Sequence, residues 1–267
     1  MMRSMTDAQT DAQTDAQAPT ELVHLAVADG VATITLDSPH NRNALSRQLV
    51  TELLAHLETA NADDSVRVVL VQSSGKVFCS GADLAEAATV GMEEGARTIV
   101  GIQRLVATMD KVVVTKNLGA VRAGGIGLVA AADIAVSAEG ATFALTEVKL
   151  GLAPAAISLS VFHRMTNRAA SLAALSGETF TGIDAARFGL VTAAVPAEDL
   201  DDYVDRLVAQ VATGANQGIR ETKKLLNAPL VEKIDAQADQ LAATSARLFA
   251  SDEAREAMTA FLSRPRG

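Results

Sequence analysis

At 267 residues, 49% of them hydrophobic, the chain suits one large domain, or one domain with an appendage, around a substantial buried core. A net charge of −9 argues against a nucleic-acid surface, because phosphate backbones demand clustered positive charge, and the lack of tryptophan weakens any case for base stacking. No apolar run reaches the roughly 20 residues of a membrane helix, the N-terminus lacks a signal-peptide layout, and one cysteine, Cys79, fits a reducing cytoplasm without disulfides.

Residues Thr6 to Gln17 repeat Thr-Asp-Ala-Gln and carry no apolar face, so residues 1–20 are expected to be a disordered tail. Order begins with Leu22–Ala28 and Val31–Leu36, two alternating segments that flank Asp29-Gly30 and predict a hairpin. Leu49, Leu53, Leu54 and Leu57 share one face of a helix that Ser46 would cap. Val68–Val71 is a continuous apolar run, as in a strand buried on both faces. A loop at Ser73–Ala82 leads into a helical region that ends near Met109, and Val112–Val114 is a short strand. The glycine-rich passage Gly119–Gly127 runs into a short helix at Leu128–Ala132, followed by a strand at Ile134–Val136. Helices are expected at Ile157–Arg164, Asn167–Ser176 and Asp184–Phe188, then a strand at Val191–Val195. Four helices close the chain, near Ala197–Ala212, Ala215–Leu226, Ala236–Phe249 and Asp252–Leu262. The pattern divides into an α/β core over 21–196 and a helical region over 197–267.

Two passages carry more glycine than packing alone requires. In Phe78-Cys79-Ser80-Gly81-Ala82-Asp83-Leu84, small residues let the backbone turn sharply after a buried strand, and Asp83 suits the start of a helix. Ala123-Gly124-Gly125-Ile126-Gly127-Leu128 stands at the start of another helix. Together the two could aim two backbone N–H groups at one oxygen, which is an oxyanion hole. Each read singly is a tight strand-to-helix turn.

The passages Asn41-Arg42-Asn43-Ala44-Leu45, Phe78–Leu84, Gly124-Gly125, Thr146-Glu147-Val148 with Leu150-Gly151-Leu152, and Gly189-Leu190-Val191 resemble the crotonase (enoyl-CoA hydratase/isomerase) family in order and spacing. The resemblance implies a fold of ββα turns with two roughly perpendicular sheets and C-terminal helices that assemble trimers or hexamers. It implies an acyl-CoA substrate, with Ala82 and Gly124 as the oxyanion-hole donors and Ala44, Asp83 and Leu84 at the CoA site. It also implies no resident cofactor, since the substrate carries the coenzyme, and no nucleic-acid or membrane partner.

One departure stands out. Family hydratases commonly hold the attacking water with two glutamates. Alignment on Asp133-Ile134 puts one of them at Gly127, which has no side chain, and the other at Glu147. The surroundings of Glu147 are apolar (Phe143, Leu145, Val148, Leu150), and such a setting raises a carboxyl pKa toward the working range of an acid/base. The alternatives for Glu147 are an exposed side chain or a salt bridge to Lys149.

Other candidates carry less. His24, His40, His56 and His163 have no metal-ligand spacing, Cys79 reads as a packed small side chain, and Arg220, Lys223 and Lys224 read as a solvated helix face. Gly125 to Ala130 fits the Gly-x-Gly-x-x-Ala form of a dinucleotide turn, but its mid-chain position and short helix do not. The resemblance therefore implies a hydratase acting on a 2-enoyl-CoA. A Δ3-Δ2 enoyl-CoA isomerase and a catalytically silent CoA-ester binder are the alternatives.

Overall fold

A computed structural model describes residues 20–86 and 93–263, so the expected tail at 1–20 lies almost wholly outside the described residues. The first hairpin forms as its sequence requires. β1 (Val23–Ala28) and β2 (Val31–Leu36) pair antiparallel, and Asp29 and Gly30 both take positive φ (50° and 79°), as a tight hairpin turn demands. The helix α1 (Arg47–Ala62) then buries Leu49, Val50, Leu53, Leu57 and Ala60. Its cap is Ser46, whose side chain accepts from the Leu49 N–H.

Three successive turns each lay one strand in a large sheet and one in a small sheet before a helix. They are β3 (Val68–Ser73) with β4 (Val77–Cys79), β5 (Val112–Asn117) with β6 (Ala120–Arg122), and β7 (Ile134–Ala138) with β8 (Thr142–Ala144). The large sheet runs β1-β2-β3-β5-β7-β10 and the small one β4-β6-β8-β9, where β9 is Phe180–Thr181 and β10 is Ala193–Val195. From β2 to β10 the large sheet is parallel, and β3 is buried over its first four residues, as the apolar run requires. The intervening helices are α2 (Glu93–Thr108), α3 (Gly124–Ala131), α4 (Ser158–Arg164), α5 (Asn167–Ser176) and α6 (Gly182–Phe188). Where β8 pairs with the edge strand β9, Phe143 stacks on Phe180 at 5.7 Å, and Phe180 meets Phe188 at 5.4 Å.

The C-terminal region contains α7 (Leu200–Ala212), α8 (Asn216–Phe249) and α9 (Asp252–Leu262). Here the expectation of four helices fails. Ala215–Leu226 and Ala236–Phe249 are one 34-residue helix that runs through Pro229. Proline there costs a backbone hydrogen bond, but Leu230 and Ile234 are wholly buried against α2 and α4, and that packing carries the helix through. The solvated face expected at Arg220, Lys223 and Lys224 is also corrected at its centre. Helical rotation turns Lys223 inward beside Asn227, four residues on. Lys223 is 4% exposed, and its Nζ lies 2.8 Å from Asp133 and donates to the Lys111 carbonyl at 2.7 Å. Asn227 donates to the other Asp133 oxygen at 2.9 Å, which pins α8 to the start of β7. Arg220 and Lys224 stay outside and pair with Glu221.

Candidate active site

In the small sheet, β4, β6 and β8 are neighbours and run parallel, with Cys79 beside Val121 and Val121 beside Phe143. Their carboxyl ends therefore open on one edge. Ala82 follows β4, Gly124 follows β6 and Glu147 follows β8, so the topology delivers all three expected residues to the same end of the sheet. Ligands of open α/β sheets commonly sit at such an edge.

The two glycine-bearing passages interlock there because side chains are missing. A Cβ on Gly81 (φ 97°) would stand 2.9 Å from the Ala123 Cβ. One on Gly125 would stand 2.6 Å from the Cys79 Cβ, and one on Gly124 would stand 2.7 Å from Leu45 Cδ1 and 4.0 Å from the Ala82 nitrogen. The backbones of Ala82 and Gly124 are thus close neighbours. Gly124 opens α3, so its N–H belongs to the first turn, which has no partner within the helix. The preceding Ala123 is held at φ 44°, ψ −117°, a strained conformation for a residue with a side chain, as is common at functional sites. Ala82 forms an isolated parallel bridge with Leu45, in which Leu45 donates to the Gly81 carbonyl at 2.8 Å rather than to Ala82 itself.

The sequence reading did not single out the polar stitches that fix this loop. Ser80 donates from its backbone to the Arg42 carbonyl and from Oγ to the Asn41 carbonyl, both at 3.1 Å. Asn43 binds the Ser38 N–H and the Val77 carbonyl, and Asn41 donates to Asp83 at 3.2 Å. Asp83 in turn accepts from the Ala85 and Glu86 amides at 3.0 and 3.3 Å, so it caps a helical turn that begins at Leu84. Two asparagines at spacing two, Asn41 and Asn43, are the only sequence signal these stitches leave. Ala44 is buried, and Leu84 is partly buried. A cleft of about 170 Å³ opens beside Ala82 and Asp83, with Leu45, Val50, Leu54 and Ile99 as its apolar wall.

Glu147 begins a short 3-10 turn after β8. Its Oε2 is buried with no hydrogen-bond partner, so the exposed and Lys149-paired readings both fall. Burial raises its pKa to about 7, opposed only by its own backbone amide. Gly127 is one turn below Gly124 on α3, and a Cβ there would lie 2.5 Å from Ile157 Cγ2 and 3.7 Å from the Gln103 side-chain amide carbon. Ile157 fills the space a side chain at 127 would need. Cys79 is fully buried and its thiol is pushed up to about 12, as expected of a packed side chain. Among the described residues no group of three metal-ligating side chains occurs, and no helix is long and apolar enough to cross a membrane.

Residues 26–266 match the sequence profile described as enoyl-CoA hydratase/isomerase. The chain belongs to that family. The likeness extends to solved structures: an enoyl-CoA hydratase from Mycobacterium avium superposes with a TM-score of 0.85 at 44% identity, covering 91% of this chain and 96% of that one. A Thermus thermophilus relative, whose enoyl-CoA hydratase assignment is itself inferred, is 35% identical over 73% of this chain and 80% of its own. A trans-2-decenoyl-[acyl-carrier-protein] isomerase of Streptococcus mutans is 29% identical over 75% of this chain and 79% of its own. Within this crotonase fold the two-sheet core and the helical C-terminal region hold as expected, while the relatives divide between hydratase and isomerase.

Proposed function

We propose that the chain is an enoyl-CoA hydratase-like lyase that adds water to a 2-enoyl-CoA thioester. The reading rests above all on one observation: the Ala82 and Gly124 backbones converge at the strand edge from which a desolvated Glu147, its Oε2 without a partner, also emerges. In this reaction the Glu147 carboxylate takes a proton from water as the oxygen attacks C3. Charge moves onto the thioester oxygen, where the N–H groups of Ala82 and Gly124 hold it. The same carboxyl then returns the proton to C2, so that one acid/base serves both steps. Ala44, Asp83 and Leu84 take the CoA moiety by resemblance. The coenzyme arrives with the substrate, so the reaction calls for no resident cofactor, and the single buried thiol suits a cytoplasmic enzyme of acyl-CoA (fatty acid) metabolism.

A second reading has its own support. Ile157 closes the place where a second water-holding carboxylate would stand, and a Δ3-Δ2 isomerase needs only one base. Glu147 would then remove a proton from C2 and return it at C4. Incubation with 2-enoyl- and 3-enoyl-CoA panels in oxygen-labelled water separates the two. Hydration places labelled oxygen at C3, whereas isomerisation moves the double bond and incorporates none. Tight CoA-ester binding with no turnover of either panel would instead select a non-catalytic binder.

A further inference from the structure

If Glu147 is the acid/base, its carboxyl must be held, yet Oε2 has no partner and the carboxyl's hydrogen bond is only to its own backbone amide. The Glu147–Leu150 turn is a single 3-10 turn, a geometry with weak hydrogen bonds of its own. Gly151 closes the turn at φ 67°, and both its N–H and that of Leu152 donate to the Glu147 carbonyl. Packing must supply the rest, and two glycines show where it comes from. On one side is Gly177, the φ 60° cap of α5. A Cβ there would stand 3.0 Å from Lys149 Cε and 3.2 Å from both the Leu145 carbonyl oxygen and Val148 Cγ1. On the other side, a Cβ on Gly151 would stand 3.2 Å from the Ala254 nitrogen and Glu253 Cγ, and 3.4 Å from the Ala254 Cα.

Ala254 is wholly buried in the first turn of α9. Its N–H donates to Ser251 Oγ, the cap of that helix, at 3.2 Å. Ala257 and Met258 continue the same inward stripe at helical spacing. α9 thus closes over the outer side of the turn that carries the carboxyl. We propose that the first turn of α9, through Ala254 seated on Gly151, is a positioning element that keeps the Glu147 carboxyl oriented and dry.

This rests on the reading of Glu147 given above. The charged groups on the turn and on the ends packed against it are Lys149 on the turn itself, Glu178 beside Gly177, and Asp252, Glu253 and Arg255 in the first turn of α9, and all of these side chains are exposed. None of them is a cause of the Glu147 shift, which comes from burial. Loosening α9 should therefore admit water and return the carboxyl toward its ordinary range.

Two variants in the full chain test this. Ser251→Ala removes the cap of α9 without touching the turn, and Ala254→Leu drives a larger side chain against Gly151. Each is compared with its own Glu147→Gln partner by thermal melts from pH 3 to 9. The stability difference within a pair grows from the unfolded carboxyl pKa and levels off at the folded one, so the pH at which it levels off reports the Glu147 midpoint without any substrate. The expected result is a midpoint near 7 in the parent that falls toward the ordinary carboxylate range in both variants. With the substrate found for the parent, kcat drops at least tenfold while KM changes less than twofold. Variants that melt earlier but keep the parental midpoint and pH–rate profile would overturn the proposal, because α9 would then be structural only. If Ala254→Leu fails to fold, Ser251→Ala decides alone. If the parent turns over no enoyl-CoA, the functional reading falls, while the melts still decide the positioning claim.

Discussion

Glu147 carries a cost that reveals its use. A carboxyl whose pKa rises from 4.5 to about 7 on folding is bound more tightly by its proton in the folded state. The sign follows directly. Such a group costs nothing below its unfolded pKa, and folding stability is lost as pH rises through the folded pKa. Glu147→Gln should therefore stabilise the chain by up to ~3 kcal/mol above pH 7 and change little near pH 4, as melts across that range would show. The same variant should lower kcat by roughly 10²–10⁴-fold with CoA-ester affinity nearly unchanged. In the parent, kcat/KM should rise with pH toward a plateau above about 7, as the base form of Glu147 accumulates. An inactive variant that is no more stable at pH 8 would refute the desolvated setting, and an active one would remove Glu147 from the mechanism. Gly127 is the reverse case. Gly127→Glu must displace Ile157, whose Cγ2 lies 2.5 Å from the new Cβ, so a loss of at least about 1–3 kcal/mol is expected rather than a gain in hydration. An unchanged melting temperature with raised hydratase activity would show that the wall at Ile157 is not there.

The elements divide by how much local signal they carry. The first hairpin, α1, β3, α5 and α9 were legible because each has its own pattern: paired turn residues, a capped apolar stripe or a continuous apolar run. The small sheet was not. β4, β6 and β8 are three residues each, too short for a period; β4 sits inside a passage that reads as a loop, β6 inside a glycine-rich one, and β8 in a stretch with no strand signal. Yet it is their parallel register that gathers Ala82, Gly124 and Glu147. The site residues were named from motifs, while their convergence came from pairing that no local pattern announces. Nor could Ile157 be read as the plug at Gly127, because that contact joins positions thirty residues apart. The helix starting at Leu84, not Ala82, also decides how the oxyanion hole can be probed. Proline is tolerated at the first helical position, which Ala82 does not occupy. Gly124 does occupy one, but Ala123 at ψ −117° conflicts with the extended backbone that proline imposes on its predecessor. An amide-to-ester exchange at residue 82 or 124 removes the N–H and leaves the dihedrals intact. Each exchange should lower kcat by on the order of 10²–10³-fold, and near-normal turnover in both would place the thioester oxygen elsewhere. In α8, Pro229→Ala should raise stability by as much as about 3 kcal/mol, since the exposed ring only removes a backbone bond from a helix that packing already holds.

Over the whole molecule, the apolar surface is distributed in a way one chain does not resolve. The core is continuous across both sheets, and α2, α4 and α8 enclose a second, smaller cluster around Val100, Leu159, Leu230 and Ile234. Outside these cores, Leu225 and Leu226 on α8 are 80% and 68% exposed, and Leu175 on α5 is 75% exposed. Pro229 lies just beyond the first pair, so the helix presents two adjacent leucines on a segment that its own chain does not cover. Burying a leucine is worth roughly 1.5–3 kcal/mol, and exposed pairs of this kind commonly mark contact surfaces. The resemblance on which the trimer expectation rests places such contacts in the C-terminal helices. We therefore expect light scattering at micromolar concentration to give the mass of three or six chains of 27.7 kDa. Leu225→Asp with Leu226→Asp should shift that mass toward the monomer, because a closed symmetric assembly repeats each buried charge at every interface. The variant should keep its helical spectrum, since neither side chain enters the core. A monomeric parent would dismiss the assembly outright, and an unshifted variant would move the interface away from α8.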